Sequence, residues 1–368
     1  MSSHFRDDDD HLKIATSPFP SHTFKATTIT DDAALSTIGR PFGARKRLIL
    51  SCCVLLALVH PTAMMLGRVS WTADLICHFQ EPAIGATLLS LGMALILKGR
   101  RVAFALMLLA VFQGYPLIRY SVSNPVMAEP SSGKRVRLLM ANVLFDNTIY
   151  DDLEHLIRKE QPDIVGLVEY TPMWRTGLAA LREEYPYRME WPTGASGLAL
   201  WFKTKPRSIH PPEWLVEDGH PVIHASFDFD GEERHLWLVH PRSPLNLLRW
   251  KAGNPEVEAI AENVAKMAGS RIVMGDMNTT EGSVHFRDFL AISGLRDSRL
   301  GFGRQGSWPT DMPYRIAIDH LFLSSDLAVV DRRLGYMIGS DHFPLIVDLA
   351  PAASTKSAAQ TDQSSKNP

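Results

Sequence analysis

Acids, amides and imidazoles recur in the second half of this sequence directly after short apolar stretches. Residues 272–274 are apolar and lead through Gly275 to Asp276 and Asn278, which lie two residues apart. Because side chains alternate along an extended chain, this carboxylate and this carboxamide face the same side. Comparable polar groups interrupt or end other apolar stretches: Asn142, Glu169, His240, Asp319 with His320, and Asp341 with His342. The carboxyl ends of strands are where sheet-based sites usually form, so these groups predict a functional site.

These side-chain types together predict a metal site that acts on phosphate esters. Carboxylates gathered at one edge of a sheet are costly to bury unless a cation balances them. Oxygen ligands without cysteine favour a hard ion, here Mg²⁺ or Mn²⁺. The three cysteines, Cys52, Cys53 and Cys77, all lie earlier, in or near apolar segments. A divalent ion, carboxylates and histidines are the groups that activate water for attack on a phosphodiester or phosphomonoester.

Hydrophobic periodicity predicts the strands and helices that hold these residues. Apolar stretches typical of strands cover residues 136–143, 164–168, 198–202, 236–239, 272–274, 316–323 and 345–349. Apolar residues follow helical spacing at 150–157, 257–267 and 283–292. Ser283 and Gly294 are the residue types of a helix N-cap and C-cap, so they bound the last of these helices.

In this order along the chain, the segments resemble those of the endonuclease/exonuclease/phosphatase superfamily, which includes DNase I-like nucleases, neutral sphingomyelinases and inositol-phosphate phosphatases. The resemblance covers about residues 134–350. It rests on LMAN ending at Asn142, GLVE ending at Glu169, VHP around His240, GDMN from Gly275, IDH around Asp319 and GSDHFP around Asp341. It implies an α/β fold, a four-layer α/β sandwich of two packed mixed β-sheets flanked by helices. More closely, the chain resembles bacterial members that carry a few N-terminal membrane spans.

The resemblance also implies which residues hold the metal and the substrate. Glu169 would be the principal metal ligand, with Asn142 and Asp341 beside it. Substrate binding would fall to Asn142, His240 and Asn278. Many relatives carry another acid two residues after the first Asn, where this chain has Leu144. This departure predicts either a site with one ion or a site in which water fills one position.

A catalytic role is implied for five residues. His342 would be the general base or proton shuttle, oriented by Asp319. Asp276 and Asn278 would hold the scissile phosphate and the nucleophile, and some relatives assign the base role to this Asp instead. His240 would donate to a phosphate oxygen or to the leaving group. Electrostatics supports the pairing of acid and imidazole, because a carboxylate fixes the tautomer of an adjacent imidazole and raises its basicity.

A membrane region is predicted between residues 45 and 120. Apolar stretches at 48–66, 75–97 and 102–118 predict three transmembrane helices. Basic clusters at 45–47 and 98–101 belong on the cytoplasmic side by the positive-inside rule. Three spans then place the catalytic domain on the extracytoplasmic (periplasmic) side of the inner (plasma) membrane. If the second stretch only enters the interface, the catalytic domain is cytoplasmic instead.

The remaining segments and the charge balance limit the function further. Residues 1–44 and 351–368 are predicted to be disordered tails, and residues 121–133 a linker. A formal net charge of −2 gives no general basic surface for nucleic acid. The substrate therefore stays open between nucleic acid and a phospholipid or small phosphodiester, and no protein partner is evident. The alternative function is a catalytically silent, membrane-tethered binding module with the same fold.

Overall fold

The computed structural model describes residues 32–122 and 133–352, with side chains from residue 43 onward. Its helices are α1 (Asp32–Leu66), α2 (Trp71–Cys77), α3 (Gln80–Ile96), α4 (Arg100–Val122), α5 (Tyr150–Glu160), α6 (Pro172–Gly177), α7 (Leu247–Lys266) and α8 (Val284–Ser293). Its strands are β1 (Val136–Asn142), β2 (Ile164–Val168), β3 (Tyr187–Trp191), β4 (Leu198–Phe202), β5 (Ser208–Ile209), β6 (Ile223–Phe229), β7 (Glu232–Val239), β8 (Ser270–Asp276), β9 (Arg296–Asp297), β10 (Asp319–Leu323), β11 (Leu327–Leu334) and β12 (Leu345–Pro351).

The strands form two mixed sheets that pack face to face. One sheet has the order β11-β12-β1-β2-β4-β3 and the other β5-β6-β7-β8-β10-β9. Only β1 with β2 and β7 with β8 run parallel among the paired strands of the described residues. A Cβ at Gly166 of β2 would lie 2.4 Å from the Met274 methyl of β8, which shows how closely the sheets approach. Helices α5 and α6 cover one outer face, and α7 and α8 cover the other. The predicted four-layer α/β sandwich is therefore confirmed.

Strand register brings the polar strand ends to one edge of this sandwich. Asn142 at the end of β1 lies opposite Val168, the last residue of parallel β2, so Glu169 follows beside it. Asp319 of β10 pairs directly with Asp276 of β8 across the second sheet.

Local signals explain where the elements begin and end. Ser283 caps α8 by accepting the His285 amide at 3.2 Å, and Gly294 ends it in the left-handed region at φ 69°, as predicted. Helix α7 begins earlier than predicted, because Asn246 accepts the Arg249 amide at 2.9 Å and starts the helix there.

Among the described residues, the predicted membrane region has two helices, rather than three, that are long and apolar enough by themselves to cross a bilayer. They are residues 43–66 of α1 and 100–122, which form α4. The second apolar stretch is broken into α2 and α3, which meet at 78°. Pro82 explains the break, because in a continuous helix its ring would clash with the carbonyl four residues earlier and it has no amide hydrogen to donate. Counted as one bent span, this pair would make a third crossing.

The predicted tails and linker fall largely outside the described residues, which omit 1–31, 123–132 and 353–368. Helix α1 already begins at Asp32, within the predicted N-terminal tail, and β12 extends to Pro351. By their contacts, the described residues from Ile49 onward form one compact unit, which includes α2 to α4 and both sheets.

Replacing Gly275 by alanine is expected to destabilise the sandwich and to disturb the neighbouring Asp276. An added Cβ would lie 1.8 Å from the Val239 carbonyl oxygen of the adjacent strand, so the two strands would have to separate. We expect the free energy of unfolding to fall by about 1–3 kcal/mol, as for other overpacked positions. Thermal and denaturant unfolding of the full chain measure this. Gly133→Ala, where an added Cβ meets nothing within 4 Å, is the control, and equal stability of the two variants would contradict the argument.

Candidate active site

Asn142 joins the two sheets at the polar edge. Its Nδ2 lies 3.0 Å from Glu169 Oε1, 3.0 Å from Asp276 Oδ2 and 3.4 Å from His342 Nε2. The side chain is 1% exposed, so water does not compete for these contacts. Its Oδ1 accepts the amide of Leu144 at 3.0 Å. One buried amide thus places the ends of β1, β2 and β8 beside His342, which lies in the loop before β12.

His342 and Asp319 form a buried acid–imidazole pair. The His342 Nδ1 lies 2.8 Å from Asp319 Oδ2. Ser340 fixes the loop that carries this histidine, because its hydroxyl donates to the Asn142 carbonyl at 2.7 Å and accepts the His342 amide at 3.1 Å. The Asp319 amide donates to the Ser307 hydroxyl at 3.3 Å. The pair therefore directs Nε2 of His342 towards Asp276, at 3.7 Å.

Burial and neighbouring charges shift the pKa values of this pair in opposite directions. Burial disfavours the charged imidazole, but Asp319 and Asp276 outweigh it and raise the pKa of His342 to about 10. Burial also opposes ionisation of Asp319, yet the His342 charge and hydrogen bond hold the pKa of Asp319 below its ordinary value. For Asp276, burial is the largest influence on the pKa and raises it to about 7. The pKa of His342 is thus raised and that of Asp319 lowered, so the imidazole holds a proton beside an ionised carboxylate. Such separated pKa values are typical of acid–base sites.

Glu169 and Asp341 provide oxygen atoms that suit a cation. Glu169 has a φ of 61°, in the left-handed region, and its Oε2 accepts the Phe145 amide at 3.1 Å. Burial raises the pKa of Glu169. Asp341 Oδ2 accepts the Trp308 Nε1 at 2.9 Å, while its buried Oδ1 has no hydrogen-bond partner among the described residues. A buried carboxylate oxygen without a donor beside other acids fits a hard divalent ion such as Mg²⁺ or Mn²⁺.

A second grouping of ligand atoms overlaps the first. Asp276, Asp319 and His342 each offer one atom within 4.8 Å of the others, which is close enough to hold a metal ion. The hydrogen bond between His342 and Asp319 already uses one ring nitrogen, so the set centred on Glu169 and Asp341 fits a cation better.

His240 and Asn278 complete the polar edge. His240 Nε2 lies 3.7 Å from Asp276 Oδ2 and 4.0 Å from Glu169 Oε1. Burial, with the nearby imidazoles of His220 and His342, lowers the pKa of His240 to about 3, so the ring is neutral. The Asn278 amide donates to Asp276 Oδ1 at 2.9 Å, and its Nδ2 donates to the Pro241 carbonyl at 3.0 Å.

These side chains open onto one cleft with a volume of about 350 Å³. Six predicted site residues line it: Glu169, His240, Asp276, Asn278, Asp341 and His342. Asn142 and Asp319 are bonded to lining residues from behind. The structure therefore brings all eight predicted residues together. Their individual roles stay predictions.

Several lining residues were missed by sequence reasoning. Phe145 and Arg249 line the cleft, and so do Leu75 and Phe79 at the junction of α2 and α3. Leu75 and Phe79 lie far from the catalytic strands in sequence, and their apolar surroundings predict a membrane span. The polar Gln-Glu-Pro sequence at 80–82, which breaks that span, was the signal that could have indicated a surface segment there.

A double sheet with this acidic and imidazole edge defines a hydrolase that acts on phosphoester bonds. The chain belongs to the Endonuclease/Exonuclease/phosphatase family, whose model matches residues 141–342. No curated protein matches the chain.

Solved structures of other proteins are similar to this chain. D. rerio TDP2 humanized by 14 mutations has a TM-score of 0.50 at 16% identity, over 58% of this chain and 98% of that one. D. rerio TDP2 complexed with a single-strand DNA product has a TM-score of 0.50 at 17% identity, over 59% and 99%. The human Nocturnin catalytic domain with bound sulfate has a TM-score of 0.46 at 18% identity, over 61% and 97%.

Proposed function

We propose that this protein is a membrane-anchored, divalent-metal-dependent phosphoesterase that hydrolyses a phosphodiester or phosphomonoester with an activated water. The observation that carries the proposal is the convergence of Glu169, Asp276 and His342 on Asn142. Each contact is within 3.4 Å, and the cluster faces a cleft large enough for a small ligand.

Metal binding is assigned to Glu169, Asn142 and Asp341. When bound, a divalent ion would lower the pKa of a water and balance the negative charge of the phosphate. Glu169 and Asp341 fit this task because they supply carboxylate oxygens at one edge, and the buried Asp341 Oδ1 has no hydrogen-bond partner among the described residues.

Proton transfer and substrate positioning are assigned to the remaining residues. Asp319 holds the Nδ1 side of His342, so Nε2 is the atom that exchanges a proton in the cleft. Asp276 and Asn278 position the nucleophile and the phosphate. Neutral His240 donates a hydrogen bond to a phosphate oxygen or to the leaving oxygen, which does not require a charged ring.

The alternative is a catalytically silent binding module with the same fold. Against it stands the buried pair of His342 and Asp319 beside Asp276, because burying three ionisable groups is costly and a binding role does not require it. Release of p-nitrophenol from bis-p-nitrophenyl phosphate separates the two functions. We expect turnover with Mg²⁺ or Mn²⁺, loss of turnover after chelation with EDTA, and recovery when the ion is restored. Wild-type protein with no metal-dependent turnover would favour the silent module.

Anchoring with the catalytic domain outside the cytoplasm is supported by contacts at three helix ends. Arg68, just after α1, pairs with Asp288 at 2.8 Å, and Glu81 at the start of α3 pairs with Arg304 at 2.5 Å. The Tyr120 carbonyl near the end of α4 accepts a catalytic-domain amide at 2.9 Å. The basic cluster at 98–101 lies at the opposite ends of α3 and α4, about 26 Å away for a 17-residue helix. If that cluster is cytoplasmic, the catalytic domain is not.

Cysteine labelling tests this orientation. In a background without the native cysteines, Arg100→Cys and Glu232→Cys place one exposed thiol in the basic cluster and one in the catalytic domain. We expect an impermeant maleimide to label Glu232→Cys in cells with an intact inner membrane, and Arg100→Cys only after permeabilisation. Labelling of both positions from the same side would overturn the proposed topology.

A further inference from the structure

One wall of the catalytic cleft comes from the membrane region. Leu75 of α2 and Phe79, between α2 and α3, line the same cleft as Asp276 and His342. Phe79 is 46% exposed, although it is a large apolar side chain. A substrate that reaches the catalytic residues therefore passes beside a segment held between apolar helices.

Specific hydrogen bonds fix α2 against the catalytic domain. Asp74 of α2 is buried and accepts from the Ser283 hydroxyl at 2.6 Å and from the Trp250 Nε1 at 2.9 Å. Trp71 donates its Nε1 to the Pro244 carbonyl at 2.7 Å. Because this buried carboxylate accepts from donors in two other elements, α7 and the N-cap of α8, the contact is a specific interface rather than a loose connection.

Backbone contacts show the same close fit. A Cβ at Gly282 would lie 2.0 Å from the Cys77 carbonyl oxygen. The end of α2 can therefore come this close to the catalytic domain only because residue 282 has no side chain. At the end of α4, the Tyr120 ring lies 4.3 Å from the Arg299 guanidinium. The catalytic domain is thus held at the helix ends, with its cleft next to them.

The rim of the cleft near α2 is also apolar. Leu245, which lines the cleft, is 67% exposed, and Leu248, three residues further along the chain, is 79% exposed. Both follow Pro244, whose carbonyl accepts the Trp71 Nε1 hydrogen bond. Phe145, which also lines the cleft, is 49% exposed. Exposed large apolar side chains beside a predicted membrane segment are typical of a surface that contacts lipid.

We propose that the substrate is a membrane phospholipid, drawn from the leaflet on the side of the catalytic domain. This inference rests on the proposed phosphoesterase function and adds its substrate class. The phosphoester would reach Asp276 and His342, while the acyl chains stay against Leu75, Phe79 and Leu245. Nucleic acid fits less well, because the described lining contains one arginine and no lysine, whereas strand binding needs a basic groove.

The reaction is an ordinary hydrolysis. The oxygen of water bonds to phosphorus, the ester P–O bond breaks, and a proton from the water passes to the leaving alkoxide by way of His342. The products are an alcohol and a phosphate-bearing product, one of which keeps the acyl chains.

The test uses full-length protein in mixed vesicles of phosphatidylethanolamine, phosphatidylglycerol, phosphatidylcholine, phosphatidic acid and sphingomyelin with Mg²⁺. Mass spectrometry and ³¹P NMR follow loss of each lipid, and parallel assays use bis-p-nitrophenyl phosphate and a single-stranded DNA oligonucleotide. We expect metal-dependent loss of at least one lipid and slower or no cleavage of the oligonucleotide.

Two variants test the wall itself. Phe79→Gln is expected to lower lipid turnover about tenfold more than turnover of the soluble ester, because an apolar contact with the acyl chain is lost. Gly282→Val should act in the same direction by displacing α2 from the cleft. Ile292→Gln changes an apolar residue that is 37% exposed and lies outside the cleft, and it should affect both substrates equally.

The outcomes separate the two proposals. Hydrolysis of the soluble ester and of DNA, but of no vesicle lipid, would overturn the lipid inference and leave the phosphoesterase intact. Equal losses on both substrates in Phe79→Gln and Gly282→Val would also overturn it, because the wall would then have no lipid-specific role. Absence of turnover on every substrate would overturn the proposed function and this inference with it.

Discussion

Replacing His342 by alanine is expected to lower kcat on bis-p-nitrophenyl phosphate by about 10²- to 10⁴-fold, the usual contribution of a positioned acid–base group. Its Nε2 is the imidazole atom directed at Asp276, and its Nδ1 is held by Asp319 at 2.8 Å. The KM should change much less, because the phosphate would still meet the metal and Asn278. Steady-state kinetics at saturating Mg²⁺ measure both constants.

The control for this variant is His210→Ala, which removes an exposed histidine outside the cleft. Asp319→Asn should reproduce most of the loss, since an amide disturbs the tautomer that the carboxylate fixes. The double variant should be little worse than His342→Ala, because two residues that act as a unit are not additive. Additive losses, or a His342→Ala enzyme with wild-type kcat, would remove this histidine from the chemistry.

The catalytic edge could be predicted from sequence because its signal is local. A carboxylate and an amide two residues apart after a buried strand, as at Asp276 and Asn278, are conspicuous in an apolar surrounding. The ends of parallel neighbours such as β1 and β2 then have to meet. The partner of each group needed the fold, since the contact between Asn142 and His342 joins residues 200 positions apart.

Edge strands and the cleft wall could not be predicted in the same way. β3 is only partly buried, and β11 carries Asp331, Arg332 and Arg333 next to a bulge, so neither shows a clean apolar pattern. Phe79 belongs to an apolar stretch whose composition fits a membrane span equally well. Its place in the cleft depends on α2 docking through Asp74, which is a tertiary contact without a sequence motif.

Replacing Glu169 by glutamine is expected to weaken metal binding with little change in shape. The amide oxygen can still accept from Phe145 or Asn142, but it carries no charge to attract a divalent ion. We expect the Mg²⁺ concentration for half-maximal activity to rise by at least about 10- to 100-fold, the range found when even an outer partner of a metal site is removed. Turnover at saturating Mg²⁺ should also fall, because the remaining ligands would hold the ion less rigidly.

Two measurements separate this effect from general damage to the fold. Mg²⁺ titration of activity gives the midpoint, and the Mg²⁺-dependent rise in Tm reports binding without turnover, because a ligand that binds only the folded state stabilises it. Glu183→Gln, at an exposed acid outside the cleft, should keep both at wild-type values. An unchanged midpoint and an unchanged Tm shift in Glu169→Gln would show that the ion is held elsewhere, and Asp276 with Asp319 and His342 would be the next set to replace.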